Sequence, residues 1–190
     1  MDERAEELLV EEARRGSRED FAELVRRHRQ RVYGLVFRMA GNHADADDLA
    51  QEVFLIAWKS IASFNRGSSF YTWLYRIAVN TSLTFLKKRS REKDRTEFRE
   101  NLAGGETRRG PSSPEGNSVL NELKGRMDEA IDSLPGHFRA SFVLVASQGL
   151  SHAEAARVLG CSENTVSWRM HKARKLLRAR LKPYLGEVRS

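Results

Sequence analysis

The chain has 190 residues, of which 40% are hydrophobic and 31% charged, and its net charge is +7. This composition indicates a soluble globular protein with one ordinary domain or two small ones, and it excludes an intrinsically disordered chain. A single cysteine excludes a disulfide-stapled secreted fold, and the positive charge favours nucleic acid as a partner.

The start of the chain does not have the pattern of a secretory signal peptide. Its first seven residues are acidic where such a peptide would be basic and then apolar. The longest stretch without Asp, Glu, Lys or Arg, residues 140–153, is too short to cross a membrane. We therefore expect a cytoplasmic protein with no membrane insertion.

The first 90 residues predict three helices, because their apolar side chains recur at helical spacing and nowhere alternate with period two. The first helix lies between a capping box that begins at Ser17 and a stop at Gly41. Its apolar face includes His28, which we expect to be a core residue. The other two helices are predicted over residues 44–60 and 70–89.

A flexible linker is predicted over residues 91–117, where the periodicity fails. This stretch is rich in Gly, Pro and Ser and carries equal numbers of both charges. Helical spacing returns beyond it and predicts four more helices. The predicted fold is therefore all-α, with small helical bundles at residues 1–90 and 118–190 joined by the linker.

The C-terminal bundle contains the pattern of a helix-turn-helix. A short helix ends at Gly160, whose residue type permits the tight turn, and a second helix begins after Ser162. This second helix has seven Lys and Arg and no acidic residue between positions 169 and 182. DNA binding is the functional interpretation, and a helical hairpin with a solvated basic face is the alternative.

The helix over residues 70–89 is unusual in its aromatic content. Tyr71, Trp73 and Tyr75 cannot all lie on the face that Phe70 and Leu74 occupy, because a helix in a small bundle buries one face only. Exposed aromatic rings beside cations are suited to unstacked bases of single-stranded nucleic acid. Alternatively, these rings fill gaps between the two bundles.

The helix over residues 44–60 carries an acidic stripe. Its first acids also suit a helix N-terminus, which accounts for Asp45 and Asp47. Four other residues share one face of the helix because their spacing is i, i+3, i+4, i+7. One of them, Leu55, is apolar, and an apolar side chain within a polar face is typical of a surface that binds another protein. The stripe consists of Asp48, Gln51, Glu52 and Leu55.

The sequence contains no catalytic pattern. The five histidines lack metal-binding spacing, and there is no phosphate-binding glycine loop. We therefore predict no enzyme, no metal and no cofactor. A DNA-binding regulator with an N-terminal oligomerisation bundle would explain the C-terminal half equally well, but it would leave the aromatic helix and the acidic stripe unexplained.

Three segments, taken in order, resemble the extracytoplasmic-function sigma factors of bacteria, especially those of the envelope-stress sigma-E type. They are DADDLAQEVF at residues 45–54, FYTWLYRIAVN at residues 70–80, and the helix-turn-helix residues 150–162 with 169–174. The resemblance implies a sigma factor that binds core RNA polymerase and promoter DNA. Its first bundle would bind the β′ clamp helices and melt the minus-10 element. Its second would read the minus-35 element and meet the β flap.

The resemblance also implies the contact residues and an anti-sigma factor as a further partner. Core-polymerase contacts would come from the acidic stripe, Asp48, Gln51, Glu52 and Leu55. Minus-10 contacts would come from Phe64, Asn65, Ser68, Tyr71, Thr72, Tyr75, Arg76, Asn80, Lys87 and Lys88. Minus-35 contacts would come from Ser162, Glu163, Asn164, Thr165, Ser167, Trp168, Arg169, His171, Lys172 and Arg174.

Overall fold

The computed structural model of the chain describes residues 3–65, 67–103 and 119–185, and every regular element in these ranges is helical, which confirms the all-α prediction. These ranges include a 3₁₀ turn at Ile61–Ser63 and a π-helical turn at Val143–Ser147. The helices are α1 Glu3–Arg14, α2 Arg18–Ala40, α3 His43–Ser60, α4 Phe70–Ala103, α5 Val119–Asp132, α6 Gly136–Phe142, α7 His152–Leu159 and α8 Glu163–Leu185.

Local capping sets the ends of the first long helix as predicted. The Ser17 hydroxyl accepts a hydrogen bond from the backbone N–H of Asp20 at 3.3 Å, which satisfies one of the free donors of the first turn. At the other end Gly41 has φ +87°, and its N–H donates to the carbonyl of Phe37. This left-handed conformation favours glycine, so α2 stops there.

The sequence analysis did not predict α1, which packs along α2. Val10 and Ala13 are buried in this contact, and Glu6 Oε2 lies 3.1 Å from Nε2 of His28. His28 is buried as expected and lies edge-on to the ring of Phe70. The hydrogen bond from His28 holds the pKa of the Glu6 carboxyl below its ordinary value. α1 is therefore part of the N-terminal core.

The fourth helix is longer than predicted. It was expected to end near residue 89, but α4 continues to Ala103, so residues 91–103 of the predicted linker are helical. Lys88 and Glu92 form an ion pair of 3.9 Å one turn apart, and such pairs support a helix that is charged all round. The rest of the predicted linker, residues 104–117, lies outside the described residues.

The two bundles are packed against each other. A separate small core joins α5 and α8 through Ala130, Ile131 and Leu177. The remaining buried apolar residues of the C-terminal half, among them Leu144 and Val166, belong to the same continuous core as those of α1 to α4. Both α6 and α7 contact α4, and α6 also contacts α2.

Candidate functional site

The acidic stripe borders an apolar groove between α2 and α3. All four stripe residues are exposed, and Leu55, at 57%, is among the most exposed large apolar side chains of the described chain. Gln51 and Leu55 line the groove, which has a volume of about 990 Å³. Asp48 and Glu52 are absent from its lining and stand on the acidic surface beside it. The predicted face therefore combines charge with an accessible apolar depression.

Sequence reasoning missed the aromatic part of this groove. Phe54 and Trp58 of α3 line it together with Phe21 and Tyr33 of α2, and the rings of Phe21 and Trp58 lie 5.0 Å apart. The sequence did contain a signal for this aromatic surface. Phe54 and Trp58 lie one turn apart on α3 and follow Gln51 by three and seven residues, which places them on the same side of the helix. Ile56 shares the helical spacing of the buried Leu49 and Val53, but it is exposed and lies outside the groove lining.

The aromatic helix is less accessible than the sequence predicted. Tyr75 is only 1% exposed, and its hydroxyl donates to Oε1 of Gln148 in the C-terminal bundle at 3.1 Å. Tyr71 and Trp73 are half-buried, and Thr72 is buried. Burial raises the pKa of the Tyr75 phenol well above its ordinary value. In this conformation Tyr75 lies between the bundles, as the alternative interpretation expected, whereas Trp73 packs against Phe64 and Phe70 within the N-terminal bundle.

The polar and basic positions predicted on α4 remain at the surface. Arg76 is exposed, although its Nη2 donates to the carbonyl of Arg157 at 2.7 Å. Asn80, Lys87 and Lys88 are also exposed. The structure therefore brings the predicted minus-10 residues onto one helix and its preceding loop, but Tyr75 is buried against the C-terminal bundle.

The loop before α4 is anchored by an aromatic cluster. Phe64 is buried, and its ring centroid lies 5.2 Å from that of Trp73. Asn65 is exposed and accepts a hydrogen bond from the N–H of Gly67, which tightens the turn. Ser69 caps α4 through the backbone N–H of Thr72 at 3.2 Å. Aromatic side chains packed beneath the loop thus hold its polar residues at the surface.

A cavity of about 630 Å³ lies beneath this loop. Ser68 and Tyr71, both predicted minus-10 contacts, form one side of it, and His28 and Arg31 of α2 form another. Nδ1 of His28 is buried without a hydrogen-bond partner. The rest of the wall comes from the C-terminal bundle and from α1. It consists of Gln148, Gly149, Leu150 and Glu154 with Glu6, Glu7 and Val10.

The helix-turn-helix is formed by α7 and α8. Ser151 and Glu154 cap α7 reciprocally, with the Glu154 N–H donating to Ser151 Oγ at 3.2 Å and the Ser151 N–H donating to Glu154 Oε2 at 2.8 Å. These hydrogen bonds from Ser151 lower the pKa of Glu154. Gly160 has φ +62° in the turn, and Ser162 caps α8 through the N–H of Thr165.

The outer face of α8 is open in the same conformation. Val166 and Met170 are buried against the rest of the bundle, so the side chains between them point outward. Trp168 is 54% exposed, and its ring lies 5.7 Å from that of Phe138. Thr165 and Arg169 are half-buried. The other predicted minus-35 residues are exposed: Ser162, Glu163, Asn164, Ser167, His171, Lys172 and Arg174.

Within the described residues, no group of three or more His, Cys, Asp or Glu side chains could hold a metal ion. None of the helices in these ranges is long and apolar enough to pass through a membrane.

Comparison with known proteins matches both halves of the chain to one family. Residues 24–92 match sigma-70 region 2, and residues 124–177 match sigma-70 region 4. The RNA polymerase sigma-H factor of Pseudomonas aeruginosa is 34% identical over 187 residues, covering 96% of this chain and 97% of that protein. The ECF RNA polymerase sigma-E factor of Escherichia coli is 33% identical over 184 residues, covering 95% and 96%.

Solved structures show the same similarity. The structure of CnrH in complex with the cytosolic domain of CnrY has a TM-score of 0.65 and 28% identity, and the match covers 94% of this chain and 98% of that one. The sigma factor RpoE in complex with the anti-sigma factor NepR from Bartonella quintana has a TM-score of 0.64 and 25% identity, covering 86% and 97%.

Proposed function

Because this chain belongs to the extracytoplasmic-function sigma factors and directs transcription initiation as an alternative sigma factor, we propose that its three surfaces divide the steps of initiation. The groove between α2 and α3 binds core RNA polymerase, α4 with its preceding loop binds the minus-10 element, and α8 reads the minus-35 element. In this assignment residues 1–90 and 118–190 act as two domains, with a spacer between them.

The groove is the best-supported core-binding surface. The groove places apolar and aromatic side chains beside an acidic rim, an arrangement that suits a partner helix with apolar and basic side chains. Leu55 and Gln51 contact the partner in the groove, and Asp48 and Glu52 attract its cations at the rim. The exposure of Leu55 beside an unfilled apolar depression is the observation that carries this proposal.

The minus-10 surface combines stacking partners, hydrogen-bonding groups and cations. Tyr71 and Tyr75 supply aromatic faces for unstacked bases, Thr72 and Asn80 supply polar contacts, and Lys87 with Lys88 follows the phosphates. Phe64 keeps the loop that carries Asn65 and Ser68 in place from below. One extruded base enters the cavity beneath this loop, between Ser68 and Tyr71.

The minus-35 surface is the exposed face of α8. Its N-terminal side chains, from Ser162 to Trp168, reach base edges in the major groove, and the basic side chains from Arg169 onward contact phosphates. The chain acts as a non-catalytic subunit in the cytoplasm, where the polymerase works. The solved complexes of similar sigma factors also support an anti-sigma factor as a partner of this chain.

Run-off transcription with purified core polymerase tests this function. We expect the chain to give initiation at specific sites in a library of genomic fragments that core polymerase alone does not use. A variant with Gln51→Ala and Leu55→Ala should retain the wild-type circular dichroism and lose this activity. A chain that binds DNA fragments but never supports initiation would instead be a helix-turn-helix regulator.

A further inference from the structure

Trp168 is an exposed aromatic side chain on the face of α8 that is proposed to read DNA. It lies in the second turn of the helix, and 54% of its surface is exposed. Asn164 precedes it by four residues and Lys172 follows it by four, so the three side chains share one face of the helix. Both of these polar neighbours are exposed. The indole therefore stands in the middle of the surface that would face a DNA duplex.

The indole of Trp168 is supported from one side by α6. Its ring centroid lies 5.7 Å from that of Phe138, and the two ring planes are inclined at 58°. Aromatic rings attract each other at this distance when they are inclined. Phe138 is half-buried and packs against the small core that includes Leu177 of α8. Because its partner ring is fixed in this way, Trp168 is held in place while about half of its surface stays free.

The free surface of the indole is mainly apolar. A tryptophan side chain carries one N–H donor and no acceptor. Base edges in the major groove are read through donors and acceptors, and the prominent apolar group among them is the C5-methyl of thymine. Asn164 and Lys172 have the polar groups that suit base edges and phosphates. The feature of the groove that matches the face of Trp168 is therefore a methyl group on C5 of a pyrimidine.

We infer that Trp168 is a specificity-determining residue that reads a pyrimidine C5-methyl group in the minus-35 element, with Phe138 as its positioning residue. This inference rests on the proposed role of α8 in reading that element. Thymine supplies the methyl group in unmodified DNA, and 5-methylcytosine supplies the same group in methylated DNA. The affinity of the promoter then depends on the methyl group itself, in addition to the hydrogen bonds of the base pair.

Holoenzyme assembled from core polymerase and the full chain tests the inference with duplexes that differ in this methyl group alone. A preferred minus-35 sequence is first selected from a promoter library randomised over that element, and each thymine on either strand is then replaced in turn by deoxyuridine. We expect one replacement to weaken binding about fourfold, the factor that corresponds to the burial of one methyl group.

A second pair of duplexes separates the methyl group from the identity of the base. The sensitive position is changed to a C·G pair and prepared with cytosine or with 5-methylcytosine. Tighter binding of 5-methylcytosine would identify the methyl group as the ligand in either base. A methyl effect with thymine alone would identify thymine as the ligand of Trp168.

Variants of α8 connect the methyl effect to the indole. Trp168→Ser should bind the thymine and deoxyuridine duplexes equally, whereas Trp168→Phe keeps an aromatic ring and should retain part of the difference. Leu176→Ala is the matched control, because Leu176 is another exposed apolar side chain of α8, about two turns further along and outside the predicted contacts. It should leave the methyl effect at its wild-type size.

Phe138→Leu tests the positioning role separately. It keeps an apolar side chain in the small core but removes the ring that supports the indole. We expect this variant to reduce the methyl effect while its affinity for the deoxyuridine duplex stays at the wild-type value. An equal loss of affinity for both duplexes would show that Phe138 acts on the fold of the bundle and does not position Trp168.

Two results would overturn the inference as a whole. One is equal affinity for the thymine and deoxyuridine duplexes at every position of the element. The other is a methyl effect of the same size in the wild type and in Trp168→Ser, because another residue would then read the methyl group. Both results are compatible with the proposed function, provided that the holoenzyme initiates at the selected promoter. Failure to select any minus-35 sequence would instead refute the proposed role of α8.

Discussion

Leu55 allows the core-binding proposal to be tested at a single residue. Truncation of a side chain that is buried at an interface costs about 1–2 kcal/mol, so we expect Leu55→Ala to weaken binding to core polymerase about five- to thirtyfold. Ile56→Ala is the matched control, because Ile56 is exposed on the same helix outside the groove lining. Equal losses in the two variants, measured by fluorescence anisotropy, would contradict the assignment.

Two residues of α8 should contribute to DNA binding in different ways. Lys172 lies in the basic half of the helix, so Lys172→Ala should weaken binding to all duplexes alike and reduce the salt slope by about one. Asn164 is exposed in the first turn, so Asn164→Ala should change the preference among minus-35 variants. Titrations at several salt concentrations separate the two effects. A uniform loss from both variants would rule out this division.

At the residue scale, sequence reasoning was most reliable for side chains whose surroundings come from their own helix. Periodicity along α3 correctly placed Leu55 and Gln51 at the surface, and cap chemistry correctly identified Ser17 and Gly41 as the limits of α2. Sequence reasoning did not predict that Tyr75 is buried. The burial of Tyr75 depends on Gln148, which is 73 residues away along the chain, and helical spacing carries no information about such a contact.

At the element scale, α1 should respond to the ionisation of Glu6. The lowered pKa of Glu6 means that its ionised form stabilises the docked helix. This stabilisation is complete above the unfolded pKa of about 4.5 and is lost as the pH falls through the lower folded pKa. Glu6→Gln should therefore reduce Tm at pH 7 by about 2–4 °C, and by less near pH 3.

Glu7→Gln is the control for this measurement, because Glu7 is exposed and has no hydrogen bond or ion pair among the described contacts that stabilise α1. Thermal unfolding followed by circular dichroism at both pH values gives the comparison. A constant difference between Glu6→Gln and the wild type across the pH range would show that the carboxylate charge of Glu6 is not what stabilises α1.

The helices that the sequence predicted well are those with one continuous apolar face. α1 was missed because its short sequence carries many charges and few apolar residues, and Val10 and Ala13 become recognisable as core positions only against α2. The end of α4 was placed too early because its extension has no apolar face. Pairs such as Lys88 with Glu92 support that extension, and they do not produce hydrophobic periodicity.

At the scale of the whole molecule, the shared core predicts cooperative unfolding of both bundles. Buried residues of α7 and α8 belong to the same cluster as those of α2 and α3, so neither bundle can unfold without exposing the other. Gly136 of α6 lies against α4, where an added Cβ would be 3.0 Å from Cδ2 of Leu83. We therefore expect one calorimetric transition for the wild type and two for Gly136→Glu. Two transitions in the wild type would show that the bundles unfold independently.

The sequence predicted both bundles and the surfaces they carry, but not how the bundles pack together. Composition and periodicity describe each helix relative to its neighbours in sequence. Nη1 of Arg139 donates to the carbonyl of Met39 at the end of α2, and these residues are 100 positions apart in the sequence. The packing around this contact also needs two glycines, because a Cβ at Gly41 would meet Asp132 and one at Gly136 would meet Leu83. Nothing in the local pattern around Arg139 distinguishes it from a surface arginine.

The three tryptophans of the chain give it a set of built-in optical reporters. Trp58 lies in the groove between α2 and α3, Trp73 packs beneath the loop before α4, and Trp168 stands on the outer face of α8. Each indole therefore belongs to a different proposed binding surface. Variants that keep one tryptophan and replace the other two with phenylalanine would need no added label. The rate at which the fluorescence emission of the remaining tryptophan changes would report separately on binding to polymerase, to single-stranded DNA or to duplex DNA.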